Sequence, residues 1–270
     1  MLPVFQSGSI PRALRLGLAS VCLHWLLITT APAETLTVTN LLAQGEQAER
    51  RGDVADALRA YSAAESLIST DCPALCRLTR LYCDLMHDAP TATQQKDLAG
   101  HALATALRAE KADPKSATAH LCVAVCFAKN FPYTSTETKV KWSREIKVEC
   151  ETAIALDPKQ DVGYYLLGRW NYGVANMNFL VKGLVKVIYG GLPKASNEEA
   201  IRDFRQAISL APNRIINHFE LARVYEVTGE YRLEREELVT CRALKALDRD
   251  DADAQRDAIE KLTAMGDQNH

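Results

Sequence analysis

Two arginines, Arg169 and Arg223, stand at the ninth position of helices that the sequence predicts to begin at Asp161 and Ile215. Tyr165 and Tyr172 flank the first and Phe219 and Glu226 the second, at offsets that share one helical face. A guanidinium offers a planar fork of donors that matches a carboxylate or a phosphate, and neighbouring aromatic rings add apolar anchoring. Such a set grips an anionic peptide end or a lipid headgroup without transforming it. The same arginines could instead close ion pairs between helices, Arg223 with Glu226 or Glu220 for example. Both uses are open at this level.

Residues able to do covalent or metal chemistry are present but not arranged for it. The sequence has no GxSxG, no Walker-type glycine-rich loop, no HExxH and no GxGxxG. His24, His87, His101, His120, His218 and His270 are not spaced with carboxylates as a ligand set would be. His120 and His218 occupy matching positions in a repeat, which points to packing. Cys72, Cys76, Cys83, Cys122, Cys126, Cys150 and Cys241 form no CxxC pair of the kind zinc sites favour. They are expected to act as small buried hydrophobes, with one or two disulfides between neighbouring helices as the alternative in an exported chain. No catalytic residue, cofactor or metal site is therefore expected, and the chain reads as non-enzymatic.

The charge balance excludes another class. Across 270 residues, 32 basic residues face 34 acidic ones, and no basic domain stands out for nucleic acid. The first 33 residues differ from the rest. Arg12 and Arg15 precede a run from Leu16 to Ala31 without Lys, Arg, Asp or Glu, which ends in Ala31-Pro32-Ala33. A positive start, an apolar run and a small-x-small site describe an export signal cleaved after Ala33. The run is short for a membrane span, which needs roughly 20 residues. A periplasmic or secreted protein is the expectation, with an uncleaved anchor or a mitochondrial presequence as alternatives. Cys22 follows Val21 rather than a small residue, so no lipoprotein site is read there.

The elements that must position these side chains come from a recurring figure. It reads Ala102, Ala106, Ala109, Pro114; then Ile146, Cys150, Ala153, Pro158; then Ala200, Phe204, Ala207, Pro212. A degenerate copy, Ala57, Tyr61, Ala64, Ser69, lies upstream. Offsets of four and three put the first three positions on one helical face, and the proline stops the helix. After each stop comes a helix of matched chemistry: His120, Val123, Ala124, Phe127; Tyr164, Leu167, Gly168; and His218, Leu221, Ala222, Tyr225. The eighth position is Ala or Gly because the facing helix leaves no room for more. This pattern resembles the tetratricopeptide repeat, whose stacked hairpins bind partners along a concave groove. The chain is thus read as an all-α solenoid over 39–266, with about five helical hairpins and a C-terminal capping helix from Asp251 to Met265.

Two units are stretched, by about ten residues around Lys129 to Thr138 and about twenty around Val174 to Ser196. The second stretch contains a helical segment from Phe179 to Tyr189. Lys182 and Lys186 share one stripe, while Phe179, Leu180, Leu184, Val187 and Ile188 fill the others. The expectation is an extra helix buried against the solenoid. The alternative is an amphipathic helix that touches lipid or a partner through Phe179, Lys182, Leu184, Lys186 and Ile188.

With insertions at these two places, the span from about Leu58 to Leu262 resembles the regulator of microtubule dynamics family. The most specific matches are Leu166-Leu-Gly-Arg-Trp-Asn-Tyr172 and, after the insertion, Pro193-Lys-Ala-Ser-Asn-Glu-Glu-Ala200. Leu75-Cys-Arg-Leu-Thr-Arg-Leu81, Ala117-Thr-Ala-His120, Ile154-Ala-Leu-Asp-Pro158, Phe204-Arg-Gln-Ala207, Leu221-Ala-Arg-Val-Tyr225 and Gly229 complete the match. Cys76 stands where the family pattern has a tryptophan. The resemblance implies a non-enzymatic helical-repeat interaction protein, of a kind associated with microtubules, mitochondria or lipid transfer between membranes. It supplies no catalytic residue. The partner is accordingly expected to be a protein or peptide, with anionic lipid as the alternative.

Overall fold

The computed structural model describes residues 32–267, with side chains from 37 to 266. The expected leader lies outside these residues apart from its last two positions. Among the described residues there are twelve α-helices, one short 3-10 turn at Phe131–Tyr133, and no strand. Helices α1 (Pro32–Arg50) and α2 (Val54–Leu67) form the first hairpin, and α3 (Cys72–Asp88) and α4 (Ala92–Ala112) the second. The third joins α5 (Ala117–Lys129) to α6 (Thr136–Leu156). In the fourth, α7 (Asp161–Ala175) packs directly on α9 (Asn197–Leu210), and α8 (Phe179–Tyr189) lies between them in sequence only. Helices α10 (Ile215–Thr228) and α11 (Tyr231–Ala243) make the fifth hairpin, and α12 (Arg249–Asp267) caps the array. The expected solenoid of five hairpins and a cap is the one formed.

Local chemistry explains the boundaries. Asp53, Asp71, Thr91, Ser116, Ser135 and Ser196 each accept the backbone N–H of the residue three ahead, which satisfies a donor that the helix start leaves open. At the other end, Ala109, Ala153 and Ala207 each accept the N–H of the residue four ahead, just before or at the turn the proline completes. The three copies of the figure therefore close identically.

Close approach holds each hairpin together. Ala102, Ala106, Ala109, Cys150, Ala153, Ala200 and Ala207 are all buried. At three glycines even an added Cβ is too close, Gly163 against Ile154 of α6 among them. A Cβ on Gly45 would run into the Tyr61 ring, and one on Gly168 would lie 2.9 Å from the Phe204 ring. Tyr61 and Phe204 are fully buried, so neither ring can retreat to solvent. One core runs continuously from Val38 to Val174, and smaller clusters serve the fourth and fifth hairpins and the cap.

The structure overturns one expectation here. Helix α8 is not buried against the solenoid: Val185 is its one buried residue, while Phe179, Leu180, Leu184, Val187 and Ile188 all face outward. The reason is that α7 and α9 already close on each other through Gly168 and Phe204, which leaves no slot between them. The end of the segment is tethered to α6. Arg144 of α6 donates through Nε to the Gly191 carbonyl at 3.1 Å, and through Nη2 to the carbonyls of Gly191 and Tyr189. Gly190 and Gly191 take φ of 79° and 85°, a region that favours glycine, and their N–H groups close the helix onto Lys186 and Val185. No helix among the described residues is long and apolar enough to cross a membrane.

The two kinds of glycine in α7 respond oppositely to substitution. Gly168→Val is expected to destabilise the fold by about 2–3 kcal/mol through overpacking against Phe204. A Cβ added at Gly173 would meet no neighbour within 4 Å, so Gly173→Ala is expected to stabilise by up to about 1 kcal/mol. Urea unfolding of both variants reads the difference.

Candidate functional site

The first helices of successive hairpins, α3, α5, α7 and α10, stack side by side and line the concave face. The N-terminal end of α12 comes back across that face. Arg249 pairs with Asp88 of α3 at 2.8 Å, a contact between residues 161 apart in sequence. Buried Asp251 accepts the backbone N–H groups of Ile216 at 3.1 Å and Leu247 at 3.2 Å, which fixes the turn into α12. The result is a cavity of about 730 Å³ bounded by α3, α5, the start of α7 and Asp248 and Asp250.

One wall of this cavity is apolar and rich in sulfur. Cys72, Cys76, Cys83 and Cys122 lie along it with Leu121 and Val125. All seven cysteines from Cys72 to Cys241 are free thiols, six of them buried. Cys72 Sγ lies 3.9 Å from Cys76 Sγ. Burial pushes Cys150 and Cys241 up to about 12. Cys76 is also raised, by its hydrogen bond with Cys122 and by burial. Cys83 is the exception: a hydrogen bond from Cys126 lowers it, against the effect of burial. The rim is charged, with Arg80, Asp84, His87 and Lys129 facing Asp250. Asp84 stays open to solvent at the rim, and partial desolvation inside the groove, then the neighbouring Glu49 charge, push its carboxyl up to about 6.

Further along the groove, the two arginines singled out from the sequence converge on one buried carboxylate. Glu220 of α10 is 4% exposed at its side chain; it accepts from Arg223 Nη1 at 2.8 Å and faces Arg169 Nε at 3.6 Å. Each guanidinium also lies over a ring, Arg223 at 5.1 Å from the Tyr172 centroid and Arg169 at 5.9 Å from that of Tyr165. Arg169 further donates to the Tyr165 hydroxyl at 3.1 Å. Of the two ion pairs considered for Arg223, the one with Glu220 forms. Glu226 pairs instead with Lys261 of α12 at 2.6 Å. Phe219 is buried in a cluster with Ala254, Ala258 and Leu262 of the same helix. Four of the six residues therefore gather around Glu220, and α12 engages the other two. The spacing of Ala254, Ala258 and Leu262 was the available signal for that packing.

The run around Arg169 ties four helices together. Gly168 admits Phe204 of α9, and Arg169 reaches Glu220 of α10. Trp170 donates through Nε1 to the Ser143 carbonyl of α6 at 2.6 Å. Asn171 donates to Asp203 of α9 at 2.8 Å, both side chains buried. A sequence profile described as regulator of microtubule dynamics protein 1-3 matches residues 37–266.

The chain belongs to the regulator of microtubule dynamics family. Regulator of microtubule dynamics protein 1 of Mus musculus is 30% identical over 199 residues, 73% of this chain and 65% of the mouse protein. The Bos taurus protein of the same name is 26% identical over 245 residues, 90% of this chain and 77% of its own length. The chain thus spans a little under two thirds of the mouse relative. Among solved structures, TTC0263, a tetratricopeptide protein of Thermus thermophilus, superposes with a TM-score of 0.57 at 16% identity. That match covers 82% of this chain and 98% of the other. Pseudomonas aeruginosa pilF gives 0.52 at 14% identity, over 86% and 93%. At these identities the structures establish the fold alone, the tetratricopeptide solenoid read from the recurring figure.

The insertion residues stand apart from the groove. Phe179, Leu184 and Ile188 are exposed, as is Lys186, while Lys182 reaches back to the Val174 carbonyl at 3.4 Å. No Asp or Glu occurs between Asp161 and Glu198, whereas Arg169, Lys182, Lys186 and Lys194 do.

Two measurements test this electrostatic picture. Glu220→Gln leaves two guanidinium groups without their shared carboxylate and is expected to lower stability by about 2 kcal/mol, read by thermal unfolding. For Asp84, a folded pKa above the ordinary 3.8 means that the folded protein holds the proton more tightly than the unfolded chain. The stability that Asp84 itself contributes is then fully present below pH 3.8 and is lost as the pH rises to about 6. Asp84→Asn is expected to raise Tm over the parent at pH 7.5 and to lose that advantage near pH 4.

Proposed function

We propose that this protein is a non-enzymatic scaffold that binds a protein or peptide partner in its concave groove, with an acidic segment or carboxylate end held at Arg169 and Arg223. The observation that carries this reading is the stoichiometry around Glu220. Two guanidinium groups share one contacting carboxylate, with Asp250 acting on Arg169 from farther off, and the Arg169 side chain is 51% exposed. Tyr165 and Tyr172 stiffen the forks in place, so less side-chain freedom is lost when an anion docks. The relatives are named for microtubule dynamics, and only the interaction role carries over to this proposal. The export leader read from the first 33 residues is kept as part of it.

The test is affinity capture with the parent and with Arg169→Glu plus Arg223→Glu. Loss of the captured partner is the expected outcome. An unchanged partner profile and unchanged lipid overlay contradict the assignment. Arg169→Ala serves as a control, because it removes one fork without reversing charge.

A second reading has its own observation. The outward apolar face of α8, flanked by Lys182, Lys186 and Lys194 in a stretch without acidic residues, favours apposition to an anionic membrane. Co-sedimentation with anionic liposomes is expected for the parent and lost in Leu184→Asp, a change at an exposed position. Binding that persists in that variant contradicts this role for α8.

A further inference from the structure

A histidine–glutamate pair occurs twice in the solenoid, and one copy carries a third ligand. In the fifth hairpin, His218 Nδ1 lies 2.6 Å from Glu237 Oε2, and its Nε2 lies 3.0 Å from the Pro212 carbonyl. In the third, His120 Nδ1 lies 2.6 Å from Glu149 Oε2, and its Nε2 lies 3.0 Å from the Pro114 carbonyl. Ten residues before His218 stands Ile208, and ten before His120 stands Glu110. Glu110 Oε1 is 3.8 Å from His120 Nδ1, and the ligand atoms of Glu110, His120 and Glu149 all lie within 4.8 Å of one another.

We propose that Glu110, His120 and Glu149 form a binding site for a divalent cation of the zinc class that clamps α4, α5 and α6. A carbonyl only accepts, so the Pro114 oxygen fixes the hydrogen of His120 on Nε2 and turns Nδ1 toward the two carboxylates. Metal-bound histidines characteristically donate their other ring N–H to such a carbonyl. The charge count separates the two copies. At His218, an imidazolium and one carboxylate balance. At His120, an imidazolium leaves one of two carboxylates uncompensated, at side chains only 13% and 30% exposed. A divalent ion in place of the Nδ1 proton neutralises both carboxylates.

The dimensions fit a modest adjustment. Zinc bonds of about 2.0–2.2 Å to nitrogen and oxygen imply ligand separations of roughly 3.3–3.5 Å in a tetrahedron. The present separations from Nδ1, 2.6 Å to Glu149 and 3.8 Å to Glu110, bracket that range. Glu149 withdraws and Glu110 advances by less than about 1 Å, with the fourth position left to water on the side of the more exposed Glu110. Imidazole with carboxylates selects a borderline cation of this type, and Cys150 is fully buried beside Glu149 without joining the set.

The full chain, stripped with a chelator, is titrated with zinc chloride by calorimetry. One equivalent is expected to bind and to raise Tm. Glu110→Gln leaves the His120–Glu149 pair intact and is expected to weaken binding at least tenfold, while Glu237→Gln, at the two-ligand copy, is expected to bind as the parent does. The cobalt-loaded protein is expected to show no thiolate charge-transfer band. A parent that binds no stoichiometric zinc, a Glu110→Gln variant that binds unchanged, or a thiolate band each overturns the assignment.

Discussion

Everything in this molecule depends on how closely the two helices of each hairpin approach. Small residues on one arm admit a buried ring or a second row of small residues on the other: Gly45 under Tyr61, Gly168 under Phe204, and buried alanines at Ala102, Ala106, Ala153, Ala200 and Ala207. Packing at this distance is intolerant of an added methyl group, so each hairpin behaves as a rigid unit. Rigidity is what a groove assembled from four separate helices requires to keep its shape, because the side chains that line it lie on different repeats.

The same tightness accounts for the irregular parts. Since α7 and α9 close on each other, the residues inserted between them have no interior to occupy and emerge as α8 on the surface, held by Arg144. The run from Gly168 to Asn171 binds α7 to α6, α9 and α10 at once, and so fixes the position of Arg169. Helix α12 completes the arrangement. It packs against Phe219, pairs with Glu226, and carries Arg249 across to Asp88, so the last element of the array closes on the second hairpin.

The recurring alanine–proline figure was enough to read the hairpins, because it encodes contacts within a hairpin, between helices adjacent in sequence. The convergence of Arg169 and Arg223 was also legible, since equivalent repeat positions land side by side. What escaped were relations between elements far apart in the chain. Nothing near Asp88 announces Arg249, and nothing near His120 announces Glu149, 29 residues on. The fate of the Phe179–Tyr189 segment escaped for a different reason: its apolar content matches a buried helix as well as an exposed one, and only the closed α7–α9 interface decides between them.

The central claim is that partners are held on the concave face, at the Glu220 cluster. Cross-linking mass spectrometry on the chain with its captured partner tests this most directly. The account predicts cross-links and protection on α3, α5, α7 and α10, centred on the Tyr165 to Tyr172 stretch. Contacts confined to the second helices of the hairpins, α4, α6 and α9, with the Tyr165 to Tyr172 stretch unprotected, would contradict it.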